Sequence, residues 1–118
     1  MSKIQTPPKR YSPNWLDDLD GRTAIAQTMQ SRWQSLTDDL GGAAQLSYAQ
    51  RSLATRALWL EMHLETLEQS LAAGGDMDVG QWVQANNSLL GIFNRLGLKR
   101  VAKDVNLAEF LTKRGAKP

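Results

Sequence analysis

Leu53, Ala57, Leu60, Leu64, Leu67 and Leu71 follow one another at steps of 4, 3, 4, 3 and 4. A 3.5-residue repeat kept for nearly three heptads suits one structure above others: a long α-helix whose apolar seam is closed by a partner helix. No alternating strand pattern and no solenoid-period repeat occurs anywhere in the chain. The ends of this helix are marked in the sequence. Ser47 with Gln50 three residues on makes a capping-box pattern, and Gly74-Gly75 stops the helix. The spacing predicts a helix over 48–73, about 39 Å long at ~1.5 Å per residue. A helix that long needs cover along its length, from the chain's own helices or from another subunit. The apolar pattern is the same in both cases.

The remaining punctuation places two further helices around it. Ile25, Met29, Trp33, Leu36 and Leu40 step by 4, 4, 3 and 4, an amphipathic stripe. It predicts a helix over 22–39, capped by Asp20 and ended by Gly41-Gly42. Asp78 caps a helix expected over 79–96, whose apolar face is Val79, Trp82, Val83, Leu89, Phe93 and Leu96, and Gly97 closes it. Asn86 lies on that same face. It reads either as a stripe-edge residue reaching water or as a polar residue that fixes register in a helical seam. Asn106 with Glu109 suggests a short last helix over 107–114. Residues 1–14, with Pro7-Pro8 and Pro13, read as a flexible basic arm, anchored at its end by Trp15, Leu16 and Leu19. The expected organisation is therefore the arm, a helical domain over 15–114 and a tail over 115–118. The expected fold is all-α: a helical hairpin in a small bundle of three main helices plus a short C-terminal helix.

Charge separates along the chain. Lys3, Lys9 and Arg10 give residues 1–10 a charge of +3, residues 11–94 sum to −6, and residues 95–118 sum to +5. The last segment carries Arg95, Lys99, Arg100, Lys103, Lys113, Arg114 and Lys117 against Asp104 and Glu109. An acidic body with basic ends is a way to hold phosphates, since each neutralised phosphate releases counterions; basic ends also serve as solubilising tails.

Several chemistries are excluded by what is missing. With no Cys and one His, disulfide scaffolds, thiolate zinc sites, iron–sulfur clusters, Cys nucleophiles and multi-His metal sites are ruled out. No apolar stretch approaches the ~20 residues a membrane span needs, and the N-terminal cations precede no apolar core of signal-peptide type. His63 is two residues from Glu61 and from Glu65, a spacing that does not share a helix face, so it reads as a surface or boundary residue. Glu61, Glu65 and Glu68 do share a face, as a cation site, a solvated face or the complement of basic side chains from a neighbour. Asp76 and Asp78 fit capping better than a calcium loop, whose remaining ligands are absent. Ser47, Ser52 and Ser70 have no base in a recognisable motif, and no glycine-rich phosphate loop follows a strand. No catalytic or metal-binding constellation is present, and neither enzyme activity nor a cofactor is expected. A helix-turn-helix across Asp38–Leu60, with Arg51, Thr55 and Arg56 on its second helix, has a connection from Leu40 to Leu46 longer than that motif uses. The four Trp, one per segment, read as core or interface anchors.

Asp20-Gly21-Arg22-Thr23, Asp39-Leu40-Gly41-Gly42, Leu46-Ser47, the Gln50-Arg51 start of a long Leu- and Glu-rich helix, and Leu96-Gly97-Leu98-Lys99-Arg100 follow in that order. Over roughly 20–111 the set resembles short phage and prophage proteins similar to small terminase subunits. The resemblance implies a non-enzymatic DNA-packaging adaptor in the bacterial cytoplasm. Such a protein forms a homo-oligomeric ring through a central helical hairpin, binds double-stranded DNA and hands it to the large terminase subunit. The hairpin would match 48–96, with Leu53, Leu60, Leu64, Leu67, Leu71, Trp82, Leu89 and Phe93 as the oligomer interface. DNA would meet Lys3, Lys9, Arg10, Lys99, Arg100, Lys103, Lys113 and Arg114. The larger members' N-terminal helix-turn-helix has no counterpart here, which leaves weak or non-specific DNA binding. An alternative of another class is a small helical inhibitor or regulator, docking its acidic face on a host or phage protein.

Overall fold

The computed structural model describes residues 4–5 and 8–99. The helix expected over 107–114, the tail, and Lys3, Arg100, Lys103, Lys113 and Arg114 lie outside the described residues. Four α-helices follow in order: α1 Trp15–Asp18, α2 Ala24–Asp39, α3 Tyr48–Ala72 and α4 Val79–Leu96, with a 3-10 turn at Ala43–Gln45 between α2 and α3. The fold is all-α, a small bundle with three main helices. Among the described residues the only β pairing is an isolated bridge between Ile4 and Leu19.

The capping chemistry holds for α3 and α4 and shifts for α2. Ser47 accepts from the Gln50 N–H at 3.1 Å while the Ser47 N–H donates to Gln50 Oε1 at 2.9 Å, a complete capping box. Asp78 Oδ1 accepts from the Gln81 N–H at 3.1 Å. The cap of α2 is Thr23, not Asp20: its hydroxyl accepts from the Ala26 N–H at 3.2 Å, and the helix begins at Ala24. Asp20 is buried and organises the preceding turn instead. Its carboxylate takes the Arg22 N–H and guanidinium at 3.0, 3.1 and 2.9 Å, and its carbonyl takes the Thr23 hydroxyl at 2.7 Å. Both diglycines end their helices as expected. Gly41 takes φ 105°, its N–H donates to the Asp38 carbonyl, and the Gly42 N–H reaches the Thr37 carbonyl at 2.8 Å, a Schellman closure. Gly74 and Gly75 repeat this on Leu71 and Ser70.

The core sits at one end of the molecule. Trp15, Leu19, Ala26, Met29, Leu58 and Met62 form one buried cluster, with Ile4, Tyr11, Leu16, Ile25, Trp33, Leu36 and Trp59 packed against it. On α3 the core-facing residues Ala54, Leu58 and Met62 step by 4, a second stripe beside the heptad repeat. That repeat turns toward α4, which runs back antiparallel along α3 and is its most extensive helix contact. The two helices extend beyond the core as a hairpin in a body of 58 × 33 × 29 Å.

The arm differs from its sequence reading in the part that is described. The Ile4 N–H donates to the Asp18 carbonyl at 2.9 Å and the Ile4 carbonyl accepts from the Asp20 N–H at 2.7 Å. Trp59 Nε1 donates to the Pro8 carbonyl at 3.3 Å, and Trp15 Nε1 to the Thr55 carbonyl at 3.2 Å. Trp15 is 1 % exposed. Two indole donors reaching backbone carbonyls satisfy their polar ends while their rings bury, which fastens residues 4–19 to α1 and α3.

Candidate interaction surfaces

Two surfaces and one cleft stand out. The first surface lies where the arm crosses α3. The Arg56 guanidinium sits 4.8 Å from the Tyr11 ring centroid. Tyr11 meets Trp59 edge-on at 6.0 Å, and Trp59 stacks on His63 at 5.4 Å with the rings 7° from parallel. Arg56, Trp59 and His63 are at i, i+3 and i+7, so one face of α3 presents all three. Lys9, Arg10 and Arg56 are exposed around them. Chain folding thus brings two of the sequence-expected DNA contacts, Lys9 and Arg10, beside Arg56, which was not expected among those contacts. The signal for Arg56 was its place in the helix-turn-helix search; what concealed its role was the arm, whose path the sequence does not specify. Lys99 is exposed at the far end of the described chain, below α4.

The second surface is the hairpin. Trp82 Nε1 donates to Glu68 Oε2 at 3.0 Å and fixes α4 against the last turns of α3. Of the residues expected at an oligomer interface, Leu64 is buried, Leu53, Leu60, Leu67, Trp82, Leu89 and Phe93 are half-buried, and Leu71 is exposed. Ala85 is the only buried residue of α4. Asn86 points to the exposed side of the helix, and Val79, Val83 and Leu90 are exposed with it. Leu90 was not placed on the apolar face by its sequence spacing, because that spacing was read as a single stripe and α4 carries two.

The cleft, of about 340 Å³, opens between α2, α3 and the end of α4, lined in part by Leu36, Leu40, Leu58, Phe93, Arg32 and Glu61. Arg32 binds Glu65 through both nitrogens, the Nη2–Oε1 bond at 2.9 Å, and lies 3.5 Å from Glu61 Oε2. The acidic row of α3 is therefore answered from within the chain: Arg32 takes Glu61 and Glu65, and Trp82 takes Glu68. Hydrogen bonding from Arg32 lowers the Glu65 pKa, against the opposing effect of burial. Glu61 moves the other way. Its burial raises the pKa, the nearby Glu65 charge adds to the rise, and Arg32 only partly opposes it. His63 projects from the opposite side of α3 to Glu61, so the cleft pairs no histidine with Ser35 or Asp39 at its rim. Among the described residues no group of three His, Asp or Glu side chains is placed to hold a metal ion, and no helix is long and apolar enough to cross a membrane.

No family model matches the chain, and no curated protein or solved structure matches it.

Proposed function

We propose that this chain is a non-enzymatic DNA-packaging adaptor of the small-terminase kind, acting in the bacterial cytoplasm. It assembles into a homo-oligomeric ring through its hairpin, binds double-stranded DNA weakly and without sequence preference through its basic segments, and delivers it to a large terminase subunit. The observation that carries the reading is the division of labour on the surface. Cations gather with aromatic rings where the arm meets α3, and the hairpin at the other end is nearly free of charge. Phosphate contacts need the first kind of surface and protein contacts the second. Lys9, Arg10 and Arg56 form the described part of the DNA contact. The alternative, a regulator docking through its acidic face, draws no support from Glu61, Glu65 and Glu68, which already have partners in the chain.

The test is a titration of a random-sequence duplex, followed by fluorescence anisotropy from low to physiological salt. Affinity should fall steeply with salt, and each of Lys9→Gln, Arg10→Gln and Arg56→Gln should make the log–log slope shallower by about 1. No binding at low salt, or binding indifferent to all three substitutions, rejects the DNA reading.

A further inference from the structure

The helix α4 has one ionisable residue, Arg95, in its 18 positions, while 22 % of the whole chain is charged. One side of α4 is engaged by α3. The other exposes a second regular row: Val79 at 61 % exposure, Val83 at 42 %, Asn86, and Leu90 at 51 %. These residues step by 4, 3 and 4, the spacing of a helix–helix seam. Arg95 lies well round the helix from this row, as do Gln84 and Ser88, by the 3.6-residue turn. An exposed seam with an amide set among aliphatic side chains is not needed to close the hairpin, which Trp82, Ala85, Leu89 and Phe93 already do.

We propose that α4 packs along α4 of a second copy of this chain through Val79, Val83, Asn86 and Leu90, in parallel register, with the two Asn86 amides paired. The inference rests on the self-association in the functional reading and names its contact, which differs from the heptad row of α3. Charge decides the occupant. The seam has no cation for a nucleic acid or an anionic membrane, and no charge of either sign to select an oppositely charged protein. Every group on it complements its own kind. Aliphatic side chains pack on aliphatic side chains, and a carboxamide both donates and accepts, so Asn86 satisfies its equivalent across a two-fold axis. A polar residue at one position of such a seam lowers stability and fixes register and strand number, because any shift buries the amide against Val or Leu.

The chain has no cysteine, which allows a direct test. The full-length variants Asn86→Cys and Gln84→Cys are oxidised under mild conditions and run without reductant. Asn86→Cys should give a covalent dimer, since equivalent positions in the seam come within disulfide reach, and Gln84→Cys should remain single. In parallel, light scattering on a sizing column should show an assembly for the native chain. Val83→Glu with Leu90→Glu should bring it down to the 13.1 kDa of one chain, with helical content retained. Equal cross-linking at positions 84 and 86, no cross-linking at either, or an assembly untouched by the double substitution overturns the proposal. A native chain that stays at monomer mass overturns it too. DNA binding is read separately: a monomer that still binds duplex DNA rejects the seam and keeps the DNA half of the functional reading, and a seam-dependent dimer that binds no DNA does the reverse.

Discussion

The two halves of α3 belong to one helix and live in different surroundings. From Tyr48 to Met62 it has the arm and α1 on one side and α2 on another, and Ala54, Ala57 and Leu58 are at most 1 % exposed. From Thr66 onward α4 is its main neighbour, and Leu71 is 54 % exposed. The first half is where the chain secures its fold. The second half, with α4, is a projecting platform whose outer face is left for something else. Apolar surface that stays in water contributes nothing to folding, so its retention on α4 is better explained by contact than by stability.

The largest effects should therefore fall at the core end. Leu58→Ala and Leu64→Ala remove the same atoms from the same helix, one facing the core and one facing α4. Leu58→Ala should cost about 3–5 kcal/mol, because the rigid cluster around Met29 and Met62 cannot collapse into the void. Leu64→Ala should cost nearer 2 kcal/mol, since a two-helix contact relaxes more easily. Urea denaturation of both variants measures this. Equal losses would mean that the hairpin is as tightly built as the core, and the contrast drawn here would fail.

The same contrast explains what could be read before the structure. The three main helices were legible, because caps and diglycine stops act locally and the apolar spacing shows in sequence: Ser47, Asp78, Gly41 and Gly74 all do what their positions imply. The expected helix over 79–96 and α4 have the same bounds. Three things were not legible, each for a tertiary reason. Asp20 reads as a cap until Arg22 claims its carboxylate, and Thr23 then takes the cap. The short helix α1 has no periodicity to reveal it. The core stripe Ala54, Leu58, Met62 was masked by the more regular leucine repeat beside it, although both are needed for a helix covered on two sides. The interaction surfaces were legible only as composition. Lys9 and Arg10 were visible as charge, but their neighbour Arg56 joins them only through the path of the arm over Trp59.

Caps offer a finer comparison, of intermediate size. Ser47→Ala opens the capping box at the core end, and Asp78→Ala uncaps the helix at the hairpin end. Each should cost about 1 kcal/mol in peptide-like terms. Their reach should differ. Losing the Asp78 cap should speed amide hydrogen exchange in α4 alone, whereas losing the Ser47 cap should lower the global stability, since the start of α3 is bound into the core. Exchange that rises across the whole chain in Asp78→Ala would show that α4 does not open independently.

The smallest effect carries the clearest sign. Glu65 has its pKa lowered by Arg32, so its pairing stabilises the fold above the ordinary carboxylate range and is lost as pH falls through that range and below it. Glu61 has its pKa raised by burial, so its charged form disfavours the fold at neutral pH, and this cost disappears as pH falls toward the ordinary range. At pH 7 Glu65→Gln should therefore destabilise, by less than about 1 kcal/mol because the pair is partly exposed, and Glu61→Gln should be neutral or slightly stabilising. At pH 4 both differences should shrink, because both carboxyls are then largely or partly protonated in the unfolded chain. Denaturant midpoints at the two pH values decide it. Losses of equal size from both substitutions at pH 7 would mean that Arg32 serves the two carboxylates alike, and that the join between α2 and α3 is a shared ion-pair network instead of one strong pair beside a buried acid.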